Sequence, residues 1–189
     1  LRIQESTGEE YTDLYSSPFE RLNAIVTAML GEEETVRLFV PVRVTGTSAE
    51  NLRKGYYSGG EEGYTQVNSA SPGILTYRTE MPVDGELFFY LPTNYPREVK
   101  LSLTKSGTTA QMGTFNGGET QRIISLGMQK AGEKLTLDMT LTGTNFYYLS
   151  DAECFYYLDM DVFRDAMARL AKDQYQITSY TEHSFDGTF

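Results

Sequence analysis

Residues 134–142, KLTLDMTLT, alternate without a break. Leu135, Leu137, Met139 and Leu141 fall on one side, while Thr136, Asp138, Thr140 and Thr142 fall on the other. A period of two belongs to an extended chain whose successive side chains leave opposite faces, so this segment is a strand with one buried and one wetted surface. Val99, Leu101 and Leu103 repeat the pattern. Strands are expected at Ile74–Met81, Glu86–Leu91, Arg97–Thr104, Gln121–Leu126, Lys134–Thr142 and Asn145–Leu158. Turn signals separate them: Val83-Asp84-Gly85, Thr93-Asn94-Tyr95-Pro96 and Lys130-Ala131-Gly132-Glu133, with Gly59-Gly60 and Gly117-Gly118 read as hairpin turns. Strands recurring every 10 to 13 residues or so, with no helix between each pair, indicate a mainly β fold. The expected architecture is an antiparallel, jelly-roll-like β-sandwich rather than a parallel α/β sheet.

Upstream of these strands, Val36, Leu38, Val40, Val42 and Val44 alternate with Arg37, Phe39, Pro41 and Arg43. Pro41 lacks a ladder donor, which places that strand at a sheet edge or beside a bulge. Residues 46–72 form a Gly-, Ser- and Tyr-rich connection long enough to carry function. Two flanking α-helices complete the fold. Ser17-Pro18-Phe19-Glu20 supplies an N-cap hydroxyl, a proline at the first helical position and a glutamate able to reach back to the cap. Phe19, Leu22, Ile25, Val26, Met29 and Leu30 then share one helical face, and Gly31 suits the left-handed position that ends it. A second helix starts near Asp159, with Val162, Phe163, Ala166, Met167 and Leu170 on one face and an Asp165–Arg169 pair on the other. The expected organisation is a linker or extended arm over 1–16, an amphipathic helix packed on the sandwich over 17–31 and the sandwich itself over 32–158. Residues 159–189 then supply a helix and a strand leading to a following module.

The chain's 189 residues suit one core. Sixteen Lys and Arg against 26 Asp and Glu leave a net charge of −10, which repels a phosphate backbone and excludes nucleic acid as a partner. The longest nearly apolar stretch, Leu22–Leu30, is nine residues and contains Asn23 and Thr27, short of the roughly 20 needed to span a bilayer. Cys154 stands alone, so neither an intramolecular disulfide nor a CxxC metal site is possible, and the redox compartment stays open. The final residues, 184–189, resemble the opening of another strand, and the chain reads as part of something longer.

Candidate chemistry is sparse. His183 is the single histidine; it lies in a polar stretch and reads as a surface residue, so a His-based zinc site has no second histidine. Asp159 and Asp161, with Asp151 and Glu153 upstream, offer oxygens of the kind Ca²⁺ takes. Capping of a helix first turn explains the same acids more simply. No Gly-rich phosphate loop is present, and no pair among the 26 acids is singled out for sugar hydrolysis. No cofactor and no metal are expected, and the chain by itself is not expected to be an enzyme.

The aromatics are the more informative feature: 14 Tyr, 10 Phe and no Trp. Tyrosine offers a flat apolar face for a sugar ring and a hydroxyl for its rim. Tyr56, Tyr57 and Tyr64, in the Gly-rich connection, are therefore candidate glycan-binding residues. Tyr147, Tyr148, Tyr156 and Tyr157 sit on strands, where tyrosine is a favoured packing residue.

Several runs taken in order resemble one family: SPFERLN (17–23), AMLG (28–31), FFYLPTNYPREV (88–99), RIISLG (122–127), the helical stretch 163–170 and YQIT (175–178). Together they resemble the YfhO family of bacterial membrane proteins, from about residue 17 to the end. The resemblance implies a multi-spanning glycosyltransferase of the polyprenyl-phosphate-sugar type, which decorates cell-wall polymers such as lipoteichoic acid in Gram-positive bacteria. It further implies a large extracytoplasmic region, of which this chain resembles a part. The membrane-spanning half, where donor-handling acids are expected, is not within this sequence, so no catalytic residue is carried over. The implied role is a non-catalytic scaffold or glycan-positioning domain on the outer face of the cell membrane. Its implied partners are its own transmembrane domain and a following extracytoplasmic module, with a cell-wall glycopolymer as a candidate ligand. An independent carbohydrate-binding module and, less simply, a glycoside hydrolase are the alternatives.

Overall fold

A computed structural model describes residues 17–56, 62–68, 70–91, 98–116, 123–141, 146–147 and 154–172. In chain order the elements begin with α1 (Pro18–Leu30), β1 (Phe39–Val42), β2 (Val44–Glu50), β3 (Leu52–Tyr56) and β4 (Glu62–Gln66). There follow β5 (Gly73–Glu80), β6 (Gly85–Tyr90), β7 (Glu98–Lys105), β8 (Thr108–Asn116) and β9 (Ile123–Gln129). The last are β10 (Lys134–Leu141), β11 (Phe146–Tyr147), β12 (Phe155–Leu158) and α2 (Met160–Lys172). Two units pack internally: one formed by residues up to Val40 together with those from Leu158 onward, the other by Pro41–Tyr157.

The first unit holds both helices. Ser17 caps α1 by accepting the Glu20 N–H at 3.3 Å, and Gly31 ends the helix in the left-handed region at φ 66°. Asp159 caps α2, its Oδ1 accepting the N–H groups of Asp161 and Val162 at 3.1 Å each. These orphan amides at a helix start would otherwise face only water. Asp165 lies 3.9 Å from Arg169, as the i,i+4 spacing requires, and Arg169 also pairs with Glu32 just beyond α1. Two polar residues inside α1 organise the segment that leaves it. Asn23 hydrogen-bonds the backbone of Phe39, and Thr27 Oγ1 accepts the Val36 N–H at 2.8 Å.

The second unit is the antiparallel sandwich that the alternation indicates. One sheet runs β1-β12-β6-β9, the facing one β2-β5-β10-β7-β8, and a small third sheet runs β11-β4-β3. In β10 the four apolar residues are buried and lie opposite Thr79, Tyr77, Leu75 and Gly73 of β5 and Lys105, Leu103, Leu101 and Val99 of β7. Across the interior, Tyr77 meets Phe89 and Phe155 with ring centroids 5.9 and 6.1 Å apart, and Phe89 meets Phe155 at 5.2 Å. Each fully buried side chain of this size is worth about 1.5–3 kcal/mol of transfer free energy. Pro41 does sit on an edge strand.

Four expectations need correcting. The strand expected over 36–44 is confined to Phe39–Val42, and its alternation slips because Phe39 and Val42, three apart, are both buried. The stretch 46–72, expected as a connection, contains most of β2 and all of β3 and β4. Strand β8 escaped notice because TTAQMGTFN has no apolar alternation, and Gly113 (φ 133°) accompanies a register shift opposite Leu101/Ser102. The single strand expected over 145–158 is two separate strands, β11 and β12, in different sheets. The arm 1–16, the turns at 59–60, 93–96 and 117–118, and the strand after residue 174 lie outside the described residues.

Candidate functional site

Among the described residues, strand β2 forms one border of the five-stranded sheet and pairs with β5 alone. Thr47 lies opposite Tyr77 and Ala49 opposite Leu75, so both β2 residues belong to the core-facing side of the sheet. Tyr77 and Leu75 are buried, yet Thr47 and Ala49 are exposed. The inner surface of the sheet therefore continues past its covered part and becomes the wall of an open groove.

The opposite wall comes from a reversal at Asn51. This residue adopts φ 53°, a left-handed conformation that asparagine tolerates better than most, and it ends β2 and begins β3 in a different sheet. Its side-chain amide donates to the carbonyls of Asn68 (3.0 Å), Ser71 (2.6 Å) and Pro72 (3.3 Å), and its own carbonyl accepts the Val67 N–H at 2.9 Å. Leu52 then lies over Gly73, where a Cβ would collide with its side chain. On the β3–β4 pair, Lys54 stands opposite Tyr64. The resulting groove has a volume of about 510 Å³ and is lined by Val44, Thr47, Ser48 and Ala49 on β2, and by Leu52, Lys54 and Tyr64.

These linings supply the Thr47 hydroxyl, the Lys54 ammonium, the largely buried Tyr64 and three apolar side chains, whereas Ser48 alternates to the other face of β2, where its Oγ accepts from the Arg78 guanidinium at 3.2 Å. No described lining residue is a carboxylic acid, histidine or cysteine. Among the described residues, no three of His, Cys, Asp and Glu come together in a metal-holding cluster. The carboxylate of Asp159 is engaged in capping α2, and Asp161 lies 3.7 Å from Arg164; Asp151, Glu153 and His183 lie outside the described residues. An ionisable pair that perturbs its own titration lies elsewhere, at the turns joining β5 to β6 and β9 to β10. There Asp84 accepts the Ala131 N–H and a Lys130 ammonium hydrogen bond, both at 2.8 Å, which hold its carboxyl below the usual range and push the Lys130 ammonium up.

Of the three tyrosines singled out from the sequence, Tyr64 lies on β4 at the groove with only 5% of its surface exposed, packed into the core rather than displayed on a loop. Tyr56 ends β3 opposite Glu62, and Tyr57 lies outside the described residues. Tyr156 is buried, Tyr157 packs partly against the core, and Tyr148 lies outside the described residues. Sequence reading missed Thr47, Ser48, Ala49, Leu52 and Lys54. The segment's small and polar residues gave no periodic signal, and only the change from VTGTSAE to a basic pair marked a boundary.

A family model described as bacterial membrane protein YfhO matches residues 5–189. No curated protein matches the chain. Among solved structures, the C-terminal CBM6 of LamC, a marine laminarinase from Zobellia galactanivorans, is similar at 13% identity and a TM-score of 0.37, covering 64% of this chain and 99% of that one. A family 35 carbohydrate binding module from Clostridium thermocellum aligns at 12% identity and TM-score 0.38, covering 62% and 95%. A family 29 module from Piromyces equi aligns at 10% and 0.37, covering 62% and 88%. Likeness of this degree leaves those modules' ligands with those modules. No helix among the described residues is long and apolar enough to cross a membrane.

Proposed function

We propose, from the premise that this chain belongs to the YfhO family of bacterial membrane proteins, that it is a non-catalytic extracytoplasmic domain of a membrane glycosyltransferase. In this reading the parent protein glycosylates a cell-wall polymer, lipoteichoic acid, and the sandwich positions the glycan chain. The observation that carries the reading is the groove between β2 and the β3–β4 pair. The Thr47 hydroxyl and the ammonium of Lys54, with Tyr64 bordering them, suit a polyol better than an apolar ligand. Tyr56 and Tyr57, at the end of β3 and just beyond it, are further contact residues in the same reading. The described lining contains no carboxylate, so the two-carboxylate machinery of sugar hydrolysis has no counterpart there.

Calorimetric titration of lipoteichoic acid fragments and of simple neutral glycans into the chain tests this. Saturable heat is expected, weakened several-fold by Tyr57→Ala and by Lys54→Ala. Silence in every titration would remove the glycan contact and leave a scaffold that packs over its membrane domain. Binding of neutral glycans alone, indifferent to Lys54→Ala, would favour an independent carbohydrate-binding module. Turnover of chromogenic glycosides would overturn the non-catalytic reading.

A further inference from the structure

The inner face of the five-stranded sheet is apolar and buried, whereas its outer face carries short polar side chains that the pairing register lays out in rows across all five strands. The middle row is Ser48, Thr76, Asp138, Ser102 and Gln111, on β2, β5, β10, β7 and β8 in turn. All five are exposed or half-buried, and none is apolar. Arg78, in the adjacent row, donates to Ser48 Oγ at 3.2 Å, and Asp138 accepts from Thr76 Oγ1 at 2.6 Å. The cation and the acid thus bond to hydroxyls rather than to each other. One such bond apiece leaves the guanidinium with further N–H donors and the carboxylate with a second oxygen.

We infer that this outer face is a second binding surface, which takes an extended neutral glycan lying across the strands along the row from Ser48 to Gln111. Neighbouring strands lie about 4.8 Å apart, close to the advance per sugar of an extended β-linked chain, so one sugar meets one strand along a row of about 19 Å. Sugar hydroxyls donate and accept, and the row offers both: the hydroxyls of Ser48, Thr76 and Ser102, the Gln111 amide, the Asp138 acceptor and the Arg78 donors. Thr76 is stiff at χ1 and its hydroxyl is held by Asp138, so little rotamer freedom is lost when a ligand orders it. Arg78 and Asp138 balance one another in charge, and the net charge of −10 on the chain repels an anionic polymer, which selects a neutral one. A protein partner would need an apolar centre that this row lacks. The inference is independent of the groove: of these residues only Ser48 borders it, and the Ser48 hydroxyl turns to the outer face.

Titration of the 189-residue chain with cello-oligosaccharides and with chito-oligosaccharides of two to six sugars, followed by calorimetry and by amide NMR shifts, tests this. Affinity for at least one series should rise about tenfold from two sugars to five and then level off, because a row of five strands offers a sixth sugar no strand. Shifts should concentrate at Thr76, Asp138 and Ser102 rather than at Thr47 and Tyr64. Asp138→Ala and Arg78→Ala should each weaken binding of the five-sugar ligand about fivefold. Asp138→Asn, which keeps an acceptor oxygen, should recover part of that loss. Tyr57→Ala should leave the affinity unchanged, which separates this surface from any failure of the groove contact. Silence from both series overturns the inference, and so does binding that does not grow with chain length. Binding that shifts Thr47 and Tyr64 and ignores both Asp138→Ala and Arg78→Ala also overturns it, and assigns the glycan to the groove alone.

Discussion

The side chain of Asn23 and the backbone of Phe39 form a closed two-bond pair. Asn23 Nδ2 donates to the Phe39 carbonyl at 2.7 Å, and the Phe39 N–H donates to Asn23 Oδ1 at 2.9 Å. The carboxamide thus serves as one rung of a β-ladder, presented from a helix, and it is fully buried. The Phe19 and Phe39 rings pack 4.9 Å apart beside it. Replacing Asn23 by alanine leaves a buried donor and a buried acceptor unpaired, a loss of about 2–4 kcal/mol. Urea unfolding of Asn23→Ala should show a correspondingly lower midpoint. Asn23→Asp should also be destabilised, since it lacks the donor for the Phe39 carbonyl. A midpoint within error of the parent chain would show that the pair is worth nothing net.

Leu52 and Gly73 are a second dependent pair. The Leu52 side chain occupies the space a Cβ at position 73 would need. Gly73→Ala should therefore cost about 1–3 kcal/mol by overpacking. In a Leu52→Ala background the same change should cost less than about 1 kcal/mol, because the obstructing atoms are gone. A double-mutant cycle of urea midpoints measures the coupling; simple additivity would place the cost in the backbone of β5 instead.

Asp84 and Lys130 tie the β5–β6 turn to the β9–β10 turn, and their shifts fix how this tie responds to pH. The carboxyl of Asp84 is lowered by hydrogen bonds from Ala131 and Lys130, so its contribution is present above the unfolded carboxylate pKa of about 3.9 and is lost as pH falls through the lower folded value. The ammonium of Lys130 is raised by Asp84, so its contribution is complete below about 10.4 and is lost as pH rises through the higher folded value. Asp84→Ala should thus melt below the parent chain by a constant margin between those limits, and the margin should close at both extremes. A margin independent of pH across the acid limb would show that the lost group acts sterically.

The legible parts of this fold are those where one face of an element is dry and the other wet. Leu135, Leu137, Met139 and Leu141 gave β10 its period, and Ser17, Gly31 and Asp159 marked helix ends because a cap needs a particular side chain or a particular φ. The groove was illegible for the opposite reason. Gly46 to Glu50 are largely exposed on both faces, so neither face selects apolar residues, and β2 has no alternation to read. Asn23 and Thr27 looked like interruptions in an apolar helix because their partners, Phe39 and Val36, lie 16 and 9 residues away. Tyr64 was expected on a loop with its side chain displayed, and the structure buries it on β4. The composition around it is that of a loop, whereas the strand pairing that buries its ring is a long-range property.

Asn51 shapes the groove wall, because it both turns the chain between sheets and holds Asn68, Ser71 and Pro72 by its amide. The two roles can be separated. Asn51→Gly keeps access to φ 53° but removes the donor to the Asn68, Ser71 and Pro72 carbonyls; Asn51→Ala loses the donor and also takes on about 1 kcal/mol of left-handed strain. Thermal midpoints should therefore fall in the order parent, Asn51→Gly, Asn51→Ala. Hydrogen exchange should quicken at the Val67 amide, which donates to the Asn51 carbonyl, and at its neighbours in β4 more than in β10, whose ladder lies in another sheet. If Asn51→Gly matched the parent in both measurements, the turn alone would define the groove wall and the amide contacts would be incidental. If exchange in β10 rose as much as in β4, the corner would be supporting the whole sandwich rather than its groove.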